Sequence, residues 1–95
     1  MNLYHRAMMS APPHRADYCL LCGDSNIQRH HVVPRSQGGI LGPTVPLCGL
    51  GNTGGCHGMA HSHRLHFRYI DRWECCVTEP MKYERALDEG EWRAC

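Results

Sequence analysis

The run Arg29-His30-His31-Val32-Val33-Pro34-Arg35, followed by Gly55-Cys56-His57 and then His61, gathers four imidazoles into two short segments. Imidazoles so placed can hold a divalent cation and leave one ring free as a general base, the pairing that phosphodiester hydrolysis needs. Two pairs of cysteines, Cys19/Cys22 and Cys48/Cys56, bracket the first group and lead into the second. Thiolates in this two-plus-two arrangement close a tetrahedral zinc site with no position left for substrate, so their role is structural. The seven residues between Cys48 and Cys56 make a long gap, but Gly49, Gly51, Gly54 and Gly55 let the loop fold back to the metal.

Spacing separates the histidines further. His57 and His61, four apart on a helix, lie about 40° from each other around its axis and project from one face. On the same helix His63 and His66 point elsewhere, which suits polar surface or contact with a nucleic-acid backbone. His30 and His31 are adjacent on a strand and face opposite ways. That arrangement fits a division of labour, one ring turned to the metal and the other to the substrate. Cys75, Cys76 and Cys95 remain as ordinary thiols.

These side chains need elements to hold them. Residues 1–16, punctuated by Pro12-Pro13, read as a loose arm whose His5, Arg6, His14 and Arg15 could add backbone contacts. Residues 17–95 form a single domain. Cys19 to Gly23 is a knuckle whose glycine admits the positive φ that turns amides toward sulfur. Ile27 to Val33 is a β-prone stretch ended by Pro34, and Thr44 to Leu47 is a return strand that Pro46 confines to an edge or bulge. A helix opens at Cys56 and runs to about His66. Residues 67–70 and 73–77 form a hairpin turning at Asp71-Arg72. A last short helix spans Pro80 to about Asp88, with Thr78 as cap and Gly90 as stop. The class is small α+β.

Composition explains the need for a metal. Ninety-five residues with ten Gly, one Phe and two Trp cannot build a large aromatic core, and so small a chain usually requires a staple. Seven cysteines, an odd number, without an apolar signal segment at the N-terminus favour reduced thiols and metal over disulfides and suggest a cytoplasmic protein. No segment could span a membrane. The net charge of +1 hides an asymmetry: residues 1–70 carry six Arg against Asp17 and Asp24, and residues 71–95 carry four basic against seven acidic side chains. All eight histidines lie in the positive part, where a phosphate backbone would approach. Nothing reads as a recognition helix, an aromatic stacking platform or a base-reading repeat.

Taken together, Cys19, Cys22 and Gly23, then His30-His31-Val32-Val33-Pro34-Arg35 with Gly38-Gly39, then Val45-Pro46-Leu47-Cys48, then Gly55-Cys56-His57 and His61 resemble the HNH endonuclease family. The resemblance covers residues 19 to about 66, and residues 67–95, a C-terminal extension, are similar to the small phage-encoded proteins of that family. It implies a ββα-metal core in its zinc-stapled form.

By this resemblance His30 ligates the catalytic metal, His31 is the general base that activates water, and His57 is the closing ligand. His61 matches a third ligand found in some members. The family's middle Asn falls here at Pro43, so Thr44 beside it, or Asn52 in the long loop, would take over the bracing of the base. The implied cofactors are a structural Zn²⁺ and one catalytic divalent ion (Mg²⁺, Mn²⁺, Ni²⁺, Co²⁺ or Zn²⁺). The implied partner is DNA, approached through Arg29, Arg35 and Arg64, with targeting supplied by a phage packaging protein or another partner. Cleavage would leave 5′-phosphate and 3′-hydroxyl ends with little sequence preference. A different class, a non-catalytic zinc module that binds DNA or protein in a phage assembly, would keep the cysteines but would not need His31 or the His57/His61 face.

Overall fold

Among the described residues, two small sheets and three short α-helices enclose one core. The computed structural model describes residues 3–51 and 53–95, with the backbone alone for 3 and 4. In chain order the elements are α1 (Leu3–Met8), β1 (Ile27–His31), β2 (Thr44–Cys48), α2 (Gly55–His61), β3 (Leu65–Tyr69), β4 (Trp73–Val77), α3 (Tyr83–Glu89) and β5 (Arg93–Ala94). The small α+β class is therefore as the sequence indicates. Among the described residues no helix is long and apolar enough to cross a membrane.

β1 and β2 pair antiparallel, with Ile27 opposite Cys48, His30 opposite Val45 and His31 opposite Thr44. The two-residue period of a strand puts Gln28 and His30 on one face with Val45 and Leu47, and Arg29 and His31 on the other. Val45, Leu47 and the following Val33 are fully buried. Burying side chains of this size contributes about 1.5–3 kcal/mol each. β1 stops at His31 rather than Val33, because the chain turns into 3-10 geometry at Arg35–Gln37 and Gly39–Leu41 after Pro34. Pro46 sits opposite Arg29 in a two-stranded sheet, where every strand is an edge, and its carbonyl accepts from the Leu20 amide at 3.1 Å.

α2 ends at His61, five residues short of the sequence expectation. His63 takes a left-handed φ of 63°. Around it the Arg64 amide donates to the Met59 carbonyl at 2.9 Å and the His63 amide to Ala60 at 3.3 Å. These two bonds make a Schellman cap, normally signalled by glycine at the position His63 holds. The residues released from the helix start β3 at Leu65, so the second hairpin is longer than expected: β3 and β4 pair from Leu65 opposite Val77 to Tyr69 opposite Trp73. Leu65, Phe67, Trp73 and Cys75 from this hairpin complete the core.

Residues 1–16 are not a loose arm in the described part. Met8 at the end of α1 is 2% exposed, and Met9 and Ala11 pack on the same core. The His14 amide donates to Thr44 at 3.0 Å, and the Trp73 indole donates to the Pro12 carbonyl at 3.0 Å. Pro12, one of the two prolines that punctuate this arm, presents its carbonyl to the core tryptophan. α3 begins at Tyr83, not Pro80, and Thr78 does not cap it. The Thr78 hydroxyl donates to the Glu79 carbonyl at 2.6 Å and lies 3.0 Å from His66 Nε2. Gly90 ends the helix as expected, its amide donating to Ala86 at 2.8 Å.

Candidate functional site: a sulfur cluster and a histidine cluster

Both candidate clusters draw on the β1–β2 hairpin and α2, and the sulfur cluster also on the knuckle at residues 19–23 that precedes β1. Cys19, Cys22, Cys48 and Cys56 bring four sulfurs within 4.8 Å of one another. The Cys22 and Cys48 sulfurs are 3.5 Å apart, close to the ~3.8 Å that two thiolates keep around a tetrahedral zinc with ~2.3 Å bonds. Gly23 has the predicted positive φ, 82°, and its amide closes the knuckle onto the Cys19 carbonyl at 2.9 Å. The Cys56 amide points at Cys48 Sγ at 3.4 Å. Such a cluster could hold a structural metal such as zinc. Gly49 has a φ of 117°, and a Cβ there would run into the Gly54 carbonyl, so the long gap between Cys48 and Cys56 depends on glycine to close.

The thiols titrate in opposite directions. Burial raises Cys19, but the amides of Cys22, Cys48 and Leu21 outweigh it and bring the group down to about 7. Burial, then the neighbouring Cys48 and Cys19 thiols, push Cys56 up. Crowded sulfurs resist collective ionisation, which is the state that a bound cation relieves.

The histidine cluster lies one residue further along α2. Ring nitrogens of His30, His57 and His61 fall within 4.8 Å of one another. His57 Nε2 and His61 Nε2 are 3.1 Å apart, within the roughly 3.0–3.4 Å span of adjacent nitrogen ligands at ~2.1 Å from one ion. Two ring nitrogens this close need a proton or a cation between them. The His30 ring centroid is 5.1 Å from that of His57 and 5.2 Å from that of His61. Burial, then the charges of His57, His61 and His31, hold His30 down at about 3; burial, then His61, also lowers His57. Both rings are therefore neutral at pH 7, the form that ligates.

Gln28 is the residue that sequence reasoning missed. Its Oε1 accepts from His57 Nδ1 at 3.0 Å, which leaves Nε2 facing the cluster. The signal was available: a polar residue two before His30 shares its strand face, the one that α2 covers.

A cavity of about 470 Å³ opens here, lined by Arg29, His30, His31, Arg35, Ser36, His57 and His61 among others. It brings His31, Arg29 and Arg35 to the cluster. Arg29 is also engaged, its guanidinium donating to the His14 carbonyl at 2.6 Å. Thr44 stands directly opposite His31 in the strand register. Asn52 lies outside the described residues. Arg64 is not brought to this cavity: it lines another surface with Thr53, Gly58, Met59 and Pro80, because the helix ends before it. His66 is not a surface histidine either; it is 4% exposed, on β3. His63 is exposed, as expected.

The remaining cysteines divide. Cys75 and Cys76 are buried on β4 and Cys95 is exposed. A hydrogen bond from the Cys95 thiol, partly opposed by burial, lowers Cys75 to about 7, so this pair is less ordinary than its sequence context suggests.

Comparison with family models, with curated proteins and with solved structures gave no match to this chain.

Proposed function

We propose that the chain is a metal-dependent DNA endonuclease of the HNH type, its β1–β2 hairpin and α2 serving as a ββα-metal core stapled by zinc. One observation carries this reading: the imidazoles of His30, His57 and His61 bring their ring nitrogens within 4.8 Å of one another beside a cavity that is also lined by His31 and two arginines. A purely structural zinc protein has no need of a second ligand set, and the donors present fit a borderline divalent ion such as Mn²⁺, Ni²⁺, Co²⁺ or Zn²⁺ better than Mg²⁺.

His30, His57 and His61 would hold that ion, whose chemistry when bound is to stabilise charge on the phosphate and the departing 3′-oxygen. Gln28 fixes the ring of His57 so that Nε2 is the ligating atom. His31, on the other strand face from His30 yet lining the same cavity, accepts a proton from a water aligned with the phosphorus. Arg35 and Arg29 hold the flanking phosphates, and Thr44 opposite His31 supports the base in place of the family's Asn. The products would be 5′-phosphate and 3′-hydroxyl ends. We place the activity in the cytoplasm of a bacterial host, with targeting by a phage packaging protein or a similar partner.

The alternative, a non-catalytic zinc module that binds DNA or protein, is favoured by the absence of a family Asn at Pro43. Supercoiled plasmid incubated with protein and Mn²⁺, Ni²⁺ or Mg²⁺ separates the two. The nuclease reading expects nicking that disappears with His31→Ala. A folded, zinc-loaded protein that leaves plasmid intact with every metal would favour the binding module.

A further inference from the structure

A second cavity, of about 530 Å³, adjoins the histidine site and shares His30, His31 and His61 with it. Its other walls come from elements distant in sequence: Phe67 on β3, His5 on α1, and Lys82, Tyr83 and Glu84 at the start of α3. The aromatic part is held in place before any ligand arrives. The Tyr83 ring centroid is 6.2 Å from His5, 5.9 Å from His66 and 6.2 Å from Trp92. His5 Nδ1 in turn donates to Gln37 Oε1 at 2.6 Å.

We propose that this cavity receives an unpaired nucleotide next to the phosphodiester held at the histidines, so that the substrate class is DNA with an extruded or single-stranded base rather than uniform duplex. The location of that phosphate rests on the endonuclease reading; the cavity's capacity to bind a base does not. Its volume lies in the roughly 300–1,000 Å³ range of small-molecule sites. A stacked duplex is convex and cannot enter such a space, whereas a base swung out of the stack is a flat π surface that packs on aromatic rings. Because the two cavities share three histidines, a nucleotide beside the bound phosphate is within reach of the second cavity. Lys82 supplies a cation for the adjoining backbone.

The test uses full-length, zinc-loaded protein without added catalytic metal, and a DNA hairpin carrying 2-aminopurine as a single-base bulge or, as control, fully paired. The bulged DNA should bind about tenfold or more tightly than the paired DNA, with its fluorescence quenched by stacking. Tyr83→Leu and Lys82→Ala should each bring that affinity ratio toward one. Lys82 is exposed, so its variant tests the cavity even if the tyrosine variant fails to fold. Equal affinity for the two DNAs with unchanged fluorescence overturns the proposal, even for a protein that nicks plasmid. A preference that survives both substitutions undiminished places the base elsewhere and overturns it as well. Tight, quenched binding of the bulge by a protein that cuts no DNA with any metal keeps the cavity and removes the nuclease reading.

Discussion

The two clusters share a hairpin and a helix, with Cys56 and His57 as neighbours, yet their surroundings differ. Three of the four cysteines are buried, the Cys56 amide faces a sulfur, and the four sulfurs lie close enough to close a tetrahedral site around a metal. In the histidine cluster only His57 is buried, His61 is exposed, and a cavity stands beside three ligands. Electrostatics separates them further. Sulfurs this close need a cation to be ionised together, so metal and fold depend on each other. His30 and His57 are held below the ordinary imidazole range by burial and by their neighbours, so under the proposed function that site would not need its ion in order to fold. Under the proposed function, the closed sulfur cluster would stabilise the domain and the open histidine cluster would leave room for substrate.

The largest expected effect breaks the first half of that contrast. Removing zinc with a chelator, or replacing Cys48 by Ala, should unfold the domain, because an apparent zinc-binding free energy of roughly 10–16 kcal/mol exceeds what a domain of this size holds in reserve. Circular dichroism alongside zinc release checks this; a chelated protein that keeps its spectrum would show that the core stands alone.

His31→Ala should leave fold and zinc content unchanged while lowering cleavage by about 10²–10⁴-fold, the usual weight of a general base. Single-turnover nicking measures it, and a fall of less than twofold would assign the proton to another group.

A smaller effect is expected from Gln28→Leu, which frees the ring of His57. Affinity for Mn²⁺ or Co²⁺ should fall about 10–100-fold by calorimetry, with the four-cysteine zinc retained. Unaltered affinity would mean that the ring needs no external brace.

The smallest effect concerns His66. Burial first, and then the charge of His63, lower its pKa in the folded chain. The unfolded state then takes up its proton at about 6.5 while the folded state does not. The stability contributed by this group is complete above that pH and declines as pH falls below it. Denaturation midpoints at pH 8 and pH 5 should therefore differ less in His66→Gln than in the parent chain, and an equal pH dependence in both would locate the titration elsewhere.

Much of the candidate site was legible because it is local. CxxC followed by glycine fixes a knuckle, and a helical spacing of four fixes the common face of His57 and His61. Strand alternation fixes the opposed faces of His30 and His31. What failed had no local mark. Nothing in Ser62-His63 announces a left-handed cap, so helical periodicity overruns the end of α2 and puts Arg64 and His66 on a helix they do not belong to. The described part of the arm, residues 3–16, lacks periodicity because Met8, Pro12 and His14 meet partners from elsewhere in the chain, up to 61 residues away. The second cavity was invisible for the same reason: Phe67, Tyr83 and His5, which line it, belong to three different elements.

Ligand types and their spacing, and hence the two kinds of cluster available to this chain, were settled by residue order, since a metal knuckle and a helical face each need only a few neighbouring residues. Which rings meet which, that Gln28 orients His57, and that a second cavity adjoins the first were decided by packing. Such contacts join residues far apart in the chain, and their geometry is set by the burial of a shared core.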